Sequence, residues 1–177
     1  MIYYRDEDVL VRDLERLDAW AIAEAEAAQG WNVTPDKYLM RLVDAEAGRA
    51  VALAAQWRGD VAGYVNVYPA GCGGAFAGMG WPEIVDFGVL ERYRRRGIGS
   101  ILMDVAEDVA SRYADTVYLG VGLHSGYGSA QRMYVKRGYI PDGSGMWYGD
   151  SVCEPYAPCV NDDALLLYLS KRLKSDK

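Results

Sequence analysis

The chain has 177 residues, about half of them apolar and a quarter charged, with a formal net charge of −6 and a pI near 4.8. That length and composition fit one globular domain over residues 1–177 with a core of useful size. The acidic balance argues against a nucleic-acid partner, because such binding rests on neutralising phosphates with Lys and Arg.

The three cysteines, Cys72, Cys153 and Cys159, are scattered and odd in number, so they predict free thiols rather than a disulfide framework. With one histidine, His124, and no Cys-x-x-Cys pair, no metal site is expected. The first residues lack a basic segment followed by an apolar stretch, and no run approaches about 18 apolar residues. Neither a signal peptide nor a membrane span is expected, and a cytoplasmic location follows by default.

Val9 to Asp13 alternates like a short strand. Leu14 to Ala28 is rich in Ala and Glu and predicts a helix with Leu14, Leu17, Ala21 and Ala25 on its apolar face. Thr34-Pro35-Asp36 reads as a second helix start, with Tyr38, Leu39, Leu42 and Val43 at helical spacing. Ala50 to Trp57 and Val61 to Tyr68 predict a hairpin around Arg58-Gly59-Asp60. Residues 69–82 are Gly-rich and predict a flexible loop, followed by a strand from Glu83 to Leu90. Gly97 to Arg112 is the clearest helix, with Ile98, Ile101, Leu102, Val105 and Val109 on one face. A strand from Thr116 to Leu123 follows, then a short helix from Ser129 to Arg137, capped by Ser129 and stopped by Gly138. A strand near Tyr139 precedes residues 141–163, which read as irregular, and Ala164 to Leu169 suits a strand buried on both faces. The order predicts an α/β fold: a mixed central sheet of about seven strands flanked by helices in three layers.

The most informative segment runs from Val85 to Leu102, where a strand leads through Arg94, Arg95 and Arg96 into Gly97-Ile98-Gly99 at the start of the long helix. The first N–H groups of a helix lack intrahelical partners, the dipole adds positive charge there, and glycine admits close approach by a ligand. Taken alone, the segment reads either as an anion site or as a basic turn before a helix whose glycines serve only the turn. It is neither a Walker loop nor a dinucleotide fingerprint, since the Lys-Ser/Thr pair is absent and Leu102 occupies the place of a third glycine.

Arg94-x-x-Gly97-x-Gly99 after an apolar strand resembles the Gln/Arg-x-x-Gly-x-Gly/Ala signature of the GNAT superfamily, the acyl-CoA-dependent N-acyltransferases. Downstream, Ala130-Gln-Arg-Met133-Tyr134-Val-Lys136-Arg-Gly138-Tyr139 is similar to that superfamily's Ala-x-x-Leu-Tyr-x-Lys-x-Gly-Phe segment. The resemblance is strong over about residues 50–140. It implies a GNAT-like domain that takes acetyl-CoA as cosubstrate. Val89 and Leu90 would face the pantetheine arm, and Arg94, Arg95, Arg96, Gly97, Ile98, Gly99 and Ser100 would wrap the pyrophosphate. One departure is Tyr127, where the superfamily often carries Asn; it bears on acceptor geometry more than on CoA binding.

Direct transfer needs a base for the amine, stabilisation of the thioester oxygen and a proton for the departing thiolate. By resemblance Tyr134 protonates the thiolate. A backbone N–H at Val89 or Leu90 would serve the oxyanion. Glu83, fourteen positions before Gly97, looks like the general base of the histone-acetylating branch. Asp86 and His124 are alternative bases, and on a regular strand Asp86 would face opposite to Glu83. Trp31, Tyr38, Tyr68, Trp81, Trp147 and Tyr148 are candidates for an acceptor pocket or for the core. The expected reaction is acetylation of a primary amine on a small molecule. A protein lysine or N-terminal acetyltransferase and a non-catalytic acyl-CoA-binding module are the alternatives, and a homodimer stays open.

Overall fold

A computed structural model describes residues 1–173. The strands are β1 (Ile2–Arg5), β2 (Val9–Asp13), β3 (Val51–Trp57), β4 (Asp60–Tyr68), β5 (Glu83–Val89), β6 (Thr116–Gly122), β7 (Ile140–Tyr148), β8 (Ser151–Val152) and β9 (Leu165–Arg172). The helices are α1 (Arg16–Ala28), α2 (Pro35–Glu46), α3 (Ile98–Ser111) and α4 (Gly128–Lys136). Hydrogen bonding orders the strands β1-β2-β3-β4-β5-β6-β9-β7-β8. β5 and β6 run parallel and the other registered pairs antiparallel, so the fold is α/β with a mixed sheet flanked by helices. Among the described residues the sheet has nine strands rather than about seven. The described residues divide into two compact units: 1–68 with 84–109, and 69–83 with 110–173.

In the first unit the β3–β4 hairpin turns through Arg58 and Gly59, both at positive φ (51° and 95°), while Trp57 pairs with Asp60. Positive φ at both central residues gives the turn whose twist matches the strands. A register shift at Gln56 leaves Ala62 as an extra residue in β4, and its carbonyl accepts the Leu90 N–H at 2.9 Å. The core here joins Leu14, Ala19, Ile22, Ala23, Tyr38, Ala52, Ala54 and Tyr64.

The expected apolar face of α1 is corrected. Leu17 is 81% exposed and Ala21 lies in solvent, while the buried face carries Asp18, Ala19, Ile22, Ala23 and Glu26. Two acids sit on that face because each has partners. Arg12 donates to both oxygens of Asp18 at 2.6 and 3.0 Å, and Tyr64 and Tyr38 donate to Glu26. A hydrophobicity pattern cannot place a buried acid whose partners lie on other elements.

In the second unit β9 lies between β6 and β7, registered with both. The expectation of irregular chain from residue 141 is corrected, since β7 runs to Tyr148. Its pairing with β9 breaks between Pro141 and Met146, where Gly143 and Gly145 adopt positive φ (87° and 92°). The strand resumes with Trp147, so a Gly-rich bulge hid it. β1, an edge strand, also went unforeseen. The cap of α4 is Tyr127, not Ser129.

Candidate functional site

The anion loop opens α3 with the expected geometry. Gly97 adopts φ +81°, and a Cβ built there would meet nothing within 4 Å. Backbone conformation demands glycine at this position, and the space beside it is open. Ser100 and Ile101 both donate to the Gly97 carbonyl at 2.9 and 3.1 Å, so the N–H groups of Ile98 and Gly99 precede the first intrahelical bonds. Arg95 also has positive φ (61°), so two left-handed residues, Arg95 and Gly97, lie just ahead of α3. Ile98 is 1% exposed and roots the helix in the core. The other loop residues, Arg94, Arg95, Arg96, Gly97 and Ser100, are exposed. Arg94 spans Val89 O at 3.2 Å and Glu91 at 3.3 Å, while the Arg96 guanidinium lies 5.1 Å from the Trp57 ring centroid. The residues therefore fit a pyrophosphate: open approach, backbone donors and three cations.

β5 leads into this loop. A Cβ on Gly99 would lie 3.3 Å from Phe87 and 3.5 Å from Val89, so the strand backs the helix start. Gly88 admits the Tyr64 ring, which would sit 2.8 Å from a Cβ there. Leu90 is 2% exposed and its N–H is committed to Ala62, which leaves Val89 to carry the backbone oxyanion expectation. The regular alternation expected along β5 is corrected at Asp86, whose φ is +53°. Its carboxylate receives Arg41 at 2.7 Å and faces Lys37 at 3.7 Å.

Glu83 is a buried carboxylate, 8% exposed. Its Oε2 accepts the Cys72 N–H at 2.7 Å and lies 3.0 Å from the Tyr118 hydroxyl, which is also 3.0 Å from the Gly73 carbonyl. Burial, then the Glu83 charge, holds the Tyr118 hydroxyl well above the usual tyrosine range. The Tyr118 ring that reaches Glu83 belongs to a file running Trp81–Phe76–Tyr118–Tyr168–Trp147, with centroids 5.3, 5.2, 6.4 and 5.5 Å apart. Gly71 and Gly74 let the 69–82 loop press on the Tyr118 and Tyr168 rings, where a Cβ would come within 2.4 and 2.0 Å. Tyr118, Phe76 and Tyr168 were not anticipated. The Tyr118 contact to Glu83 comes from a parallel register that pairs the two residues, 35 positions apart.

Tyr134 lies on α4, 6% exposed, with its ring 5.7 Å from that of Tyr139. Burial raises its pKa, so it is a protonated O–H donor at neutral pH. His124 is tied up otherwise. Its Nδ1 accepts the Gly126 N–H at 3.1 Å, and its Nε2 meets Asp163 at 3.0 Å. Tyr127, at the position where Asn was expected, gives its hydroxyl to the same Asp163 oxygen at 2.8 Å. Its ring covers Gly122, where a Cβ would meet it at 2.3 Å.

Tyr38 and Tyr68 belong to networks of the first unit rather than to an aromatic pocket wall. Tyr38 shares Glu26 with Tyr64, and Tyr68 donates to Asp44 at 2.6 Å while accepting from Arg41 at 2.6 Å. Burial, helped by the Asp44 hydrogen bond, pushes the Tyr68 hydroxyl up to about 12.

Comparison with known proteins agrees with this architecture. The family model described as Acetyltransferase (GNAT) family matches residues 14–139. A search of curated proteins gave no match. Among solved structures, yncA from Salmonella typhimurium, determined with its cofactor acetyl-CoA, superposes with a TM-score of 0.67 at 16% identity, covering 95% of each chain. Ard1 from Thermoplasma volcanium gives 0.69 at 19% identity over 95% of this chain and 99% of its own. The ribosomal-protein-S18-alanine N-acetyltransferase from Escherichia coli gives 0.66 at 13% identity over 96% of each. At these identities the likeness is one of fold, and the family match covers most of the chain. This chain belongs to the GNAT family of acetyl-CoA-dependent acetyltransferases.

Proposed function

We propose that the chain, acting as one catalytic domain over residues 1–177 in the cytoplasm, transfers an acetyl group from acetyl-CoA to the primary amine of a small molecule. The observation that carries this reading is the buried Glu83 carboxylate in contact with Tyr118, a member of the file of aromatic rings. A negative group and ring faces together attract an ammonium, and the same carboxylate can take its proton.

Each residue then has a defined task. Backbone amides at Ile98 and Gly99, with Arg94, Arg95, Arg96, Gly97 and Ser100, hold the pyrophosphate. Val89 lies along the pantetheine arm and offers its backbone N–H to the thioester oxygen as that oxygen gains charge. Leu90, fully buried, supports this strand end from the core. Glu83 removes the amine proton. Tyr134 gives a proton to the departing thiolate, and burial keeps that proton on the hydroxyl until it is needed. The cosubstrate supplies an activated thioester; orientation and proton movement belong to the chain.

A protein acceptor is the second reading, favoured by the fold shared with a ribosomal-protein N-acetyltransferase. The test is CoA release by purified protein against a panel of small primary amines and N-terminal peptides. Turnover with small amines supports the proposal. Turnover confined to peptides replaces it with the second reading, and none with either contradicts both.

A further inference from the structure

Four non-glycine residues adopt positive φ among the described residues, and only Asp86 (53°) does so inside a strand. Arg58, Arg95 and Tyr156 lie in turns or loops. A left-handed conformation is strained for a side-chain-bearing residue and persists only where the surroundings enforce it. The enforcing groups come from α2. Arg41 donates its Nε to Asp86 Oδ2 at 2.7 Å, with its second terminal nitrogen also at 2.7 Å, while Lys37 stands 3.7 Å from Oδ1. Arg41 is itself fixed. Its other terminal nitrogen donates to the Tyr68 hydroxyl at 2.6 Å, its guanidinium lies 5.4 Å from the Tyr68 ring centroid, and Tyr68 donates onward to Asp44 at 2.6 Å. Arg49 completes the chain on Asp44 at 2.7 Å. Lys37, Arg41 and Asp44 fall four and three residues apart, so one face of α2 presents the whole clamp.

The residues just past Asp86 do specific work. Phe87 and Val89 back Gly99, and the Val89 carbonyl anchors Arg94 at 3.2 Å. The direction in which β5 leaves Asp86 therefore sets the wall on which the pyrophosphate loop rests. We infer that Arg41 is a positioning residue: by clamping Asp86 in a left-handed backbone conformation it fixes the course of β5 through Val89, and with it the acetyl-CoA loop. Asp86 itself exchanges no proton with substrate. This inference rests on the acetyltransferase reading for its catalytic readout.

The role predicts an unusual order of variants. Asp86→Gly loses the carboxylate but takes positive φ without strain, whereas Asp86→Ala loses the carboxylate and keeps the strain. The experiment measures kcat, KM for acetyl-CoA and KM for an amine in Asp86→Gly, Asp86→Ala, Arg41→Met and the Asp86→Gly/Arg41→Met double variant, with circular dichroism to verify folding. Expected are Asp86→Gly within about threefold of the parent kcat/KM for acetyl-CoA, Asp86→Ala and Arg41→Met down about tenfold or more, and no added loss on introducing Arg41→Met into the Asp86→Gly background. Equal losses in Asp86→Gly and Asp86→Ala would show that the carboxylate acts directly and overturn the inference, as would full activity in Asp86→Ala. If the parent protein transfers no acetyl group to any amine, the acetyltransferase reading fails by itself. The clamp is then judged by thermal unfolding, where Asp86→Ala melting below Asp86→Gly upholds it and the reverse order refutes it.

Discussion

The hydroxyl of Tyr64 donates to the buried carboxylate of Glu26 across 2.5 Å, joining β4 to α1 through a charge with almost no contact to water. Tyr38 donates to the same carboxylate and meets Tyr64 edge-on, ring centroids 5.0 Å apart. Burial, followed by the Glu26 charge, drives the Tyr64 hydroxyl far above the ordinary tyrosine range. Removing one donor leaves the carboxylate under-satisfied in a dry place. Tyr64→Phe is expected to destabilise the fold by roughly 1.5–3 kcal/mol, the scale for a hydrogen bond to a charged group. Urea unfolding measures this, and a midpoint shift near zero would show that the pair is structurally idle.

Alkaline pH should loosen the same protein. Tyr38, Tyr64, Tyr118 and Tyr134 all have raised pKa values, with burial the largest cause in each. The folded state therefore holds these protons at pH values where the unfolded chain, with tyrosines near 10, has released them. More protons on the native state means that stability falls as pH rises. The contribution is whole below about pH 10 and is lost above it. Urea midpoints at pH 8, 10 and 11 should hold steady and then drop. A midpoint that does not fall between pH 10 and 11 would contradict the burial of these hydroxyls.

Tyr134→Phe removes one hydroxyl from a side chain that stays buried on α4. As the proton donor to the thiolate it should cost turnover about 10²-fold or more, with acetyl-CoA affinity nearly unchanged. Steady-state kinetics beside a binding titration separates the two effects. Unchanged kcat would remove Tyr134 from the chemistry.

Glu83→Gln keeps the size of the side chain and the contact to the Cys72 N–H but cannot take a proton. Turnover should fall about 10²-fold near neutral pH and recover in part as pH rises, because free amine then becomes more abundant. Tyr118→Phe should be milder, since Cys72 still holds the carboxylate. A Glu83→Gln enzyme with the parent's pH profile would assign the base elsewhere.

What the sequence revealed follows from the range of its signals. The loop from Arg94 to Gly99 and the helix after it are local: glycine at positive φ, a cationic run and a helical stripe all sit within a few turns of chain. The core side chains Ile98, Leu102, Val105 and Val109 lie on the expected face for the same reason. The α1 face was misjudged because Asp18 and Glu26 are buried by partners on other elements, which no periodicity records. β7 was obscured by Gly143 and Gly145, which read as loop while forming a bulge inside a strand. The Tyr118 contact to Glu83 and the Arg41 clamp on Asp86 span 35 and 45 residues and appear only once the strands are registered. Asp86 gave no backbone signal at all, since an aspartate at positive φ in a strand looks like any other aspartate.

The most direct test of the central claim is calorimetric titration of acetyl-CoA into the purified chain and into Gly97→Val. Gly97 stands in open space at φ +81°, so a β-branched side chain there both strains the loop and fills the approach to the α3 amides. Micromolar binding to the parent, weakened about tenfold or more in the variant, is the predicted result. No binding to the parent, or equal binding to both, would contradict a pyrophosphate site at the start of α3.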